Sequence, residues 1–442
     1  MEDKPKLQRA VCQVDDVSDR FRLDSARNFR PQYANIYFQR LAVMRDRVES
    51  AAQKRWGSNL PLKKLSDLEP NELGILVGTL YKEMEMKPSI LKEISEDTEV
   101  PVQPILPRYT QDNDTLLLEE ESQRIVLVGN IDMHQLVTGI TIALLGYEDD
   151  EGKFQVKEYG FADIPPQAKR PIPEADCYIG FISGLGLGPA SAPVFALDMC
   201  IEMLTGQLGT EEEQRKMSQI GALVIAGSLI IVAEDDRREH AKKAKYLARN
   251  ATVGSIEGML AVDEMLSQIA ACMDVYVMPG ANDPGNYMLP QRALHYCMFP
   301  MSNKSSGLHL VTNPFEADFN GIRILGTSGQ NISDIYRNSR IEDPLVMMGK
   351  TVQWTHLAPT APDTLACVPF LDRDPFILDD TPHVYFAGNQ ASAGHRWFKG
   401  NEGQRILLVS IPEYHRTPVL TLLNLRSMKV ETMSFEDAIQ NK

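Results

Sequence analysis

The chain has 442 residues, a length that suits two or three domains. Hydrophobic residues make up 43% and charged residues 24%, the composition of a globular protein with a real core. The 60 acidic residues against 45 basic ones give a formal net charge of −15, which argues against a protein that grips nucleic acid chiefly through its phosphates and favours basic partner surfaces. Six cysteines, Cys12, Cys177, Cys200, Cys272, Cys297 and Cys367, are scattered without a C-x-x-C pair, so a zinc site built from local pairs is not expected and a reducing compartment is. No stretch approaches about 18–20 apolar residues, so no membrane span is visible. The charged first ten residues lack an apolar signal core. These features place the chain in cytosol or nucleus without choosing between them.

Residues 1–33 are polar, with few large apolar side chains, and read as a flexible arm. Tyr37, Leu41, Met44 and Val48 then recur at helical spacing over residues 34–55, and Gly57 is placed to stop that helix. Strand-like runs follow at residues 74–81, 115–118, 125–128, 136–147 and 154–161, with a short helix expected over 87–94. Five strands with an interposed segment suit a small closed barrel of the OB-fold type, so residues 34–164 read as one helix-plus-barrel domain. These strands are poor in aromatic and basic residues, and Glu119-Glu120-Glu121 falls on a turn, so binding of single-stranded DNA by the barrel is the weaker expectation. The proline-rich stretch 165–173 reads as a stiff linker.

Beyond the linker, over residues 174–428, buried-looking strands run into glycine-containing loops: 177–182, 222–225, 275–278, 322–325 and 384–386. Helices are expected over 238–251 and 255–272, a hairpin at Asn320-Gly321, and further strands at 406–411 and 419–425. The acidic runs 211–213 and 234–236 read as solvated loops, and residues 429–442 as a tail. Together these describe an α+β and α/β multi-domain chain, its second part a layered β-sheet structure with flanking helices, where ligand sites gather at the strand ends.

Four of those strand-end loops have the outline of a dinuclear metal site: Ser183-Gly184-Leu185-Gly186-Leu187-Gly188, Gly227-Ser228-Leu229-Ile230-Ile231, Gly280-Ala281-Asn282-Asp283 and Gly388-Asn389-Gln390-Ala391. A metallophosphoesterase shows D-x-H, G-D-x-x-D, G-N-H-D/E and G-H-x-H in that order. Two cations about 3.5–4 Å apart need carboxylates, histidines and a bridging aspartate. Here Gly184 and Gly186 stand where the first ligands belong, and Ser228 stands at the bridging position. Ile231, Ala281, Asn282, Asn389 and Ala391 replace further ligands, and Asp283 alone keeps an acidic side chain. No catalytic, cofactor-binding or metal-binding residue is therefore assigned, and no cofactor is expected. Residual metal-dependent phosphoester or nuclease chemistry would need Asp283, Asn389 and a nearby histidine. The Gly184-x-Gly186-x-Gly188-Pro189 run lacks the G-x-G-x-x-G spacing of a dinucleotide loop. Residues 326–331 could cradle an anion at the start of a helix near 332–338, though a tight structural turn is the plainer reading.

The runs 181–188 (FISGLGLG), 277–280 (VMPG), 310–314 (LVTNP), 325–331 (LGTSGQN) and 358–365 (APTAPDTL) are similar to the B-subunit family of replicative DNA polymerases. The GTSGQN and APTAPDTL runs are those of its delta-type branch, and the likeness spans from about residue 35 to about residue 425. The resemblance implies an OB-fold joined to an inactive calcineurin-like phosphoesterase domain without catalysis of its own. It implies a nuclear accessory subunit that holds the cysteine-rich C-terminal domain of the polymerase catalytic subunit. That subunit also docks a further accessory subunit, through which it reaches the sliding clamp. Archaeal relatives keep the metal site and act as nucleases; this chain departs from them at the positions just named. The resemblance assigns no interface residues.

Overall fold

The computed structural model describes residues 7–23, 32–87, 106–120, 123–188, 194–231 and 253–436. The helices expected over 238–251 and, past Lys87, over 87–94 lie outside the described residues, as does the acidic run 234–236.

The arm expected to be flexible is fixed to the second domain over residues 7–23. Its strand β1 (Val14–Asp16) pairs antiparallel with a strand at residues 315–319. Ser18 Oγ donates to the Glu316 carbonyl at 2.9 Å and accepts from the Glu316 amide at 2.8 Å, and Phe21 is fully buried. Arg9 donates to the carbonyls of Leu204, Met217 and Ile220. A polar composition predicts disorder when apolar burial must supply the stability; here main-chain pairing and a few well-placed side chains do so.

Helix α1 (Tyr33–Trp56) ends at Gly57, whose φ of 90° suits the C-terminal stop. Its inward residues Met44, Val48 and Ala52 pack on Ile75, Val77, Ala143 and Leu145. These four lie on β3 (Gly74–Glu83) and β6 (Thr141–Glu148). The alternate residues Leu76 and Leu80 of β3 face the other way, with Leu116, Leu118, Ile142 and Leu144. This period of two makes β3 buried on both faces, one in the barrel and one under the helix. With β4 (Thr115–Glu119), β5 (Arg124–Gly129) and β7 (Phe154–Gly160), the barrel closes in the order β3-β4-β5-β7-β6-β3. Only β5 and β7 pair in parallel within that ring, and β2 (Leu62–Lys63) joins its outside parallel to β3.

The second domain has two six-stranded sheets. One contains β8 (Tyr178–Ile182), β9 (Ile220–Ala226), β10 (Asp274–Met278), β11 (Leu308–Leu310), β17 (Val419–Asn424) and β18 (Val430–Ser434), in the order β11-β10-β9-β8-β17-β18. The other contains β12 (Phe315–Phe319), β13 (Ile322–Thr327), β14 (Val384–Gln390), β15 (Gly394–Lys399) and β16 (Arg405–Pro412), in the order β1-β12-β13-β14-β16-β15. Phe181, Val224 and Tyr276 of the first sheet meet Phe315, Ile324, Phe386 and Val409 of the second in an apolar layer between them. Helices α2 (Val194–Leu204) and α4 (Val253–Ala270) cover the first sheet, while α5 (Gln330–Asn338) and α6 (Pro344–Gln353) cover the second. Two expectations are corrected. Residues 430–434 of the supposed tail form β18, held by pairing with β17 and by buried Val430 and Phe435. The run 211–213 opens α3 (Glu211–Ser218), where Thr210 and Glu213 form a capping box and the acidic first turn suits the helix dipole.

Barrel and sandwich share buried polar joints. Arg40 of α1 donates to Asp374 at 2.7 Å and to the carbonyls of Gly139, Pro359 and Ala361. Lys82 Nζ of β3 donates to the Asn338 carbonyl of α5 at 3.0 Å and faces Asp114 at 3.5 Å. The linker is pinned along the second domain: Gln167 bonds Pro382 and Arg405, and Thr381 Oγ1 donates to the Pro165 carbonyl. His356 Nε2 lies 2.9 Å from the same Asp374 carboxylate, and its Nδ1 accepts from Ala358 N. This is the neutral tautomer with the proton on Nε2. Burial and then Arg40 push the His356 pKa down to about 4. Burial would raise the Asp374 pKa, but Arg40 and His356 together hold it well below the usual carboxylate range.

Unfolded His356 binds its proton below about 6.5, whereas the folded side chain refuses it until about 4. Stability therefore falls as pH drops through that window, by about 3 kcal/mol in all. His356→Gln keeps a donor toward Asp374 and should flatten this part of the acid limb in urea unfolding between these two pH values. Equal slopes in both proteins would refute the assignment.

Candidate functional site

Strands β8, β9 and β10 run parallel in one sheet, and β13, β14 and β16 run parallel in the other. The loops that follow β8, β9, β10, β13 and β14 meet at one end of the sandwich. The Gly184 amide donates to the Gly227 carbonyl at 2.7 Å, joining the first loop to the second. Asp283 of the third loop accepts from Leu229 N at 2.7 Å and Ile230 N at 3.3 Å on one oxygen, and from Gly280 N at 2.7 Å on the other. Asn389 of the fourth loop donates to the Ala226 carbonyl at 3.1 Å and the Ser328 carbonyl at 2.8 Å, and its amide donates to Ser183 Oγ at 2.8 Å. Gly184, Gly186, Ser228, Asp283 and Asn389 thus belong to one cluster. Ile231 is tied to the first loop through its amide on the Leu187 carbonyl. Ala281 and Ala391 lie exposed, and Asn282 is half-buried.

Two glycines of the first loop, Gly184 and Gly186, occupy crowded, left-handed backbone. Gly184 and Gly186 have φ of 61° and 60°. A Cβ on Gly184 would sit 2.8 Å from Glu413 Cα and 2.9 Å from Asn389 Oδ1; one on Gly186 would sit 2.9 Å from the His415 ring. An aspartate or histidine at either place meets both a strained φ and filled space. Glu413 and His415 fill that space from the β16–β17 connection, with His415 Nδ1 on the Gly184 carbonyl at 3.0 Å. They were missed in the sequence because they lie about 25 residues past the fourth loop and form no motif with it. Ser183 and Ser328 lie within runs noted in the sequence, but their bonds to Asn389 join segments far apart in the chain.

Asp283 is the one carboxylate among the positions compared with metal ligands, and it is turned inward. Burial pushes its pKa up to about 6, against the three main-chain amides that lower it. Its lone pairs bind the backbone of the second and third loops. Residues 328–331 behave alike: Ser328 N donates to Asn313 Oδ1, and Asn331 Nδ2 donates to the Leu357 carbonyl at 2.8 Å. Gln291 joins this turn to the third loop by donating to the Gly280 carbonyl at 3.0 Å and accepting from Asn313 and Gln330. The turn braces the loops. Among the described residues no three His, Cys, Asp or Glu side chains converge as a metal-holding group. A serine hydroxyl, glycines and an amide-bound Asp283 do not fit a pair of divalent cations.

The family of DNA polymerase delta subunit OB-fold domains matches residues 32–159, and the B-subunit family of DNA polymerases alpha and epsilon matches residues 179–395. The barrel is therefore an OB-fold domain, followed by a sheet-rich α/β domain. The chain is 39% identical to the DNA polymerase delta small subunit of Arabidopsis thaliana, covering 98% of this chain and 97% of that one. It is 37% identical to the small subunit from Oryza sativa subsp. japonica, over 97% and 99%. Identity to DNA polymerase delta subunit 2 of Drosophila melanogaster is 35%, over 97% and 98%. With likeness at this level along nearly the whole of both sequences, the chain belongs to the DNA polymerase delta small-subunit family.

Proposed function

We propose that this chain is a non-catalytic accessory subunit that bridges the polymerase catalytic subunit, through its cysteine-rich C-terminal domain, to a further accessory subunit and so indirectly to the sliding clamp. We place this work in the nucleus; among the described residues no helix is long and apolar enough to cross a membrane. The four-layered second domain is, on this reading, an inactive phosphoesterase of the calcineurin-like type, divided from the OB-fold by the joint at residues 165–173. The observation that carries the proposal is the use made of the site's polar side chains. Asp283 and Asn389 bind loop backbone, and the first-ligand positions are glycines packed against Glu413 and His415. Such an arrangement preserves a stiff loop platform in place of chemistry. The shared core and the Arg40 and Lys82 joints supply a rigid two-domain body on which other chains can be held.

Coexpression with the polymerase catalytic chain of the same source tests this reading. A stoichiometric complex that survives gel filtration in high salt is expected, because obligate subunits bury large apolar interfaces. Recovery of the two chains in separate peaks would sink the proposal. The residual-nuclease reading would need a metal-holding group, and no three His, Cys, Asp or Glu side chains converge as one among the described residues.

A further inference from the structure

Among the described residues strand β15 is an open edge of its sheet, paired with β16 alone. The Gly400 amide donates to the Gln404 carbonyl, and the Leu407 amide donates toward β14, to the His383 carbonyl. By antiparallel alternation, Arg396 and Phe398 bond β16 while the main-chain N–H and C=O groups of His395, Trp397 and Lys399 point outward. No hydrogen bond within the chain reaches those three amides among the described residues. A groove flanks each face of the strand. One, of 610 Å³, is lined by Lys169, Arg170, Trp397, Glu402 and Arg405; the other, of 620 Å³, by Arg55, Asp163, Phe398 and Lys399.

The charge here runs against that of the chain. Lys169, Arg170, Lys399 and Arg405 make no ion pair among the described residues, in a protein of net charge −15. The nearby carboxylates are engaged: Asp163 and Glu402 face Lys54, and Asp343 holds Arg396. Basic residues on an edge discourage pairing with a second copy of the same edge, since like charges would face each other. They leave acidic strands as fitting partners. Trp397 remains 38% exposed beside them.

We propose that β15 is a docking edge for an acidic, extended segment of a partner polypeptide, which adds as a seventh strand beyond β15 in that six-stranded sheet. Main-chain bonds to His395, Trp397 and Lys399 supply the pairing. The two grooves take alternate side chains of the incoming strand, and carboxylates meet Lys399 and Arg405. A single-stranded nucleic acid is disfavoured, because the Arg405 guanidinium lies 4.9 Å over the Trp397 ring and occupies a face that a base would stack on.

This inference rests on the reading of the chain as an assembly subunit, and one experiment separates the two. Hydrogen exchange is measured on the full chain alone, with oligothymidylate, and in complex with the polymerase catalytic and accessory chains of the same source. The amides of His395, Trp397 and Lys399 should exchange at least about a hundredfold more slowly in the complex than in the free chain. Lys399→Glu should weaken assembly by about tenfold, with the melting temperature of the free chain unchanged because the Lys399 side chain is exposed. A complex that forms while these amides exchange as in the free chain overturns the docking edge and leaves the assembly reading standing. Protection by oligothymidylate in place of the polypeptide overturns it in favour of nucleic acid. Absence of any complex removes the assembly reading and the docking edge with it.

Discussion

Arg40→Ala is expected to destabilise the chain by about 3–5 kcal/mol, among the largest losses available to a single substitution here. The guanidinium is fully buried and bonds Asp374 together with three carbonyls drawn from the barrel and the second domain. Its removal leaves a buried carboxylate with only His356 and the Phe376 amide as partners and orphans the Gly139, Pro359 and Ala361 carbonyls. The loss falls on the joint between the domains, so urea unfolding should change from one transition to two. A cooperative single transition with a midpoint near that of the wild type would show that Arg40 does not hold the domains together. Arg40→Lys should recover little, since an ammonium cannot span the same fork of acceptors.

Asp283→Ala should cost about 3 kcal/mol below about pH 5, because three buried amides of the second and third loops lose their acceptor. The pH dependence has a definite sign. The folded pKa of about 6 lies above the unfolded value near 3.8, so the folded state holds the extra proton between them. The stability linked to that proton is complete below the unfolded pKa and is lost as pH rises through about 6. The gap between wild type and variant should therefore be widest in acid and narrow toward neutral pH. Denaturant titrations across this range check it; a gap that widens with pH would mean that Asp283 is a favourably paired anion, as a metal ligand would be.

Much of the fold could be read in the chain because its periodicities are local. The stripe from Tyr37 to Val48 marks α1, and the alternation of Ile75, Val77, Leu76 and Leu80 marks a strand with two buried faces. The glycine loops were visible because left-handed backbone after a strand leaves glycine behind. What escaped was non-local. Edge strands β1 and β18 depend on main-chain pairing with partners hundreds of residues or one short turn away, and little in their composition announces it. β15 was invisible for a similar reason: His395, Arg396 and Trp397 are all exposed, so no alternation of buried and exposed residues marks the strand. The loop positions compared with metal ligands could be named from sequence, but not the bonds their residues make. The inward turn of Asp283 requires the loops after β9 and β10 to meet, and the filling of the space beside Gly184 and Gly186 by His415 requires the two sheets to be stacked.

The bridging role is tested most directly by leaving this chain out. The catalytic chain, this chain and a second polymerase accessory chain of the same source are coexpressed, and the purified assembly is weighed by native mass spectrometry with and without this chain. The account predicts a three-chain complex when all are present, and separate catalytic and accessory chains when this one is omitted. A catalytic–accessory complex that persists undiminished without this chain would contradict it.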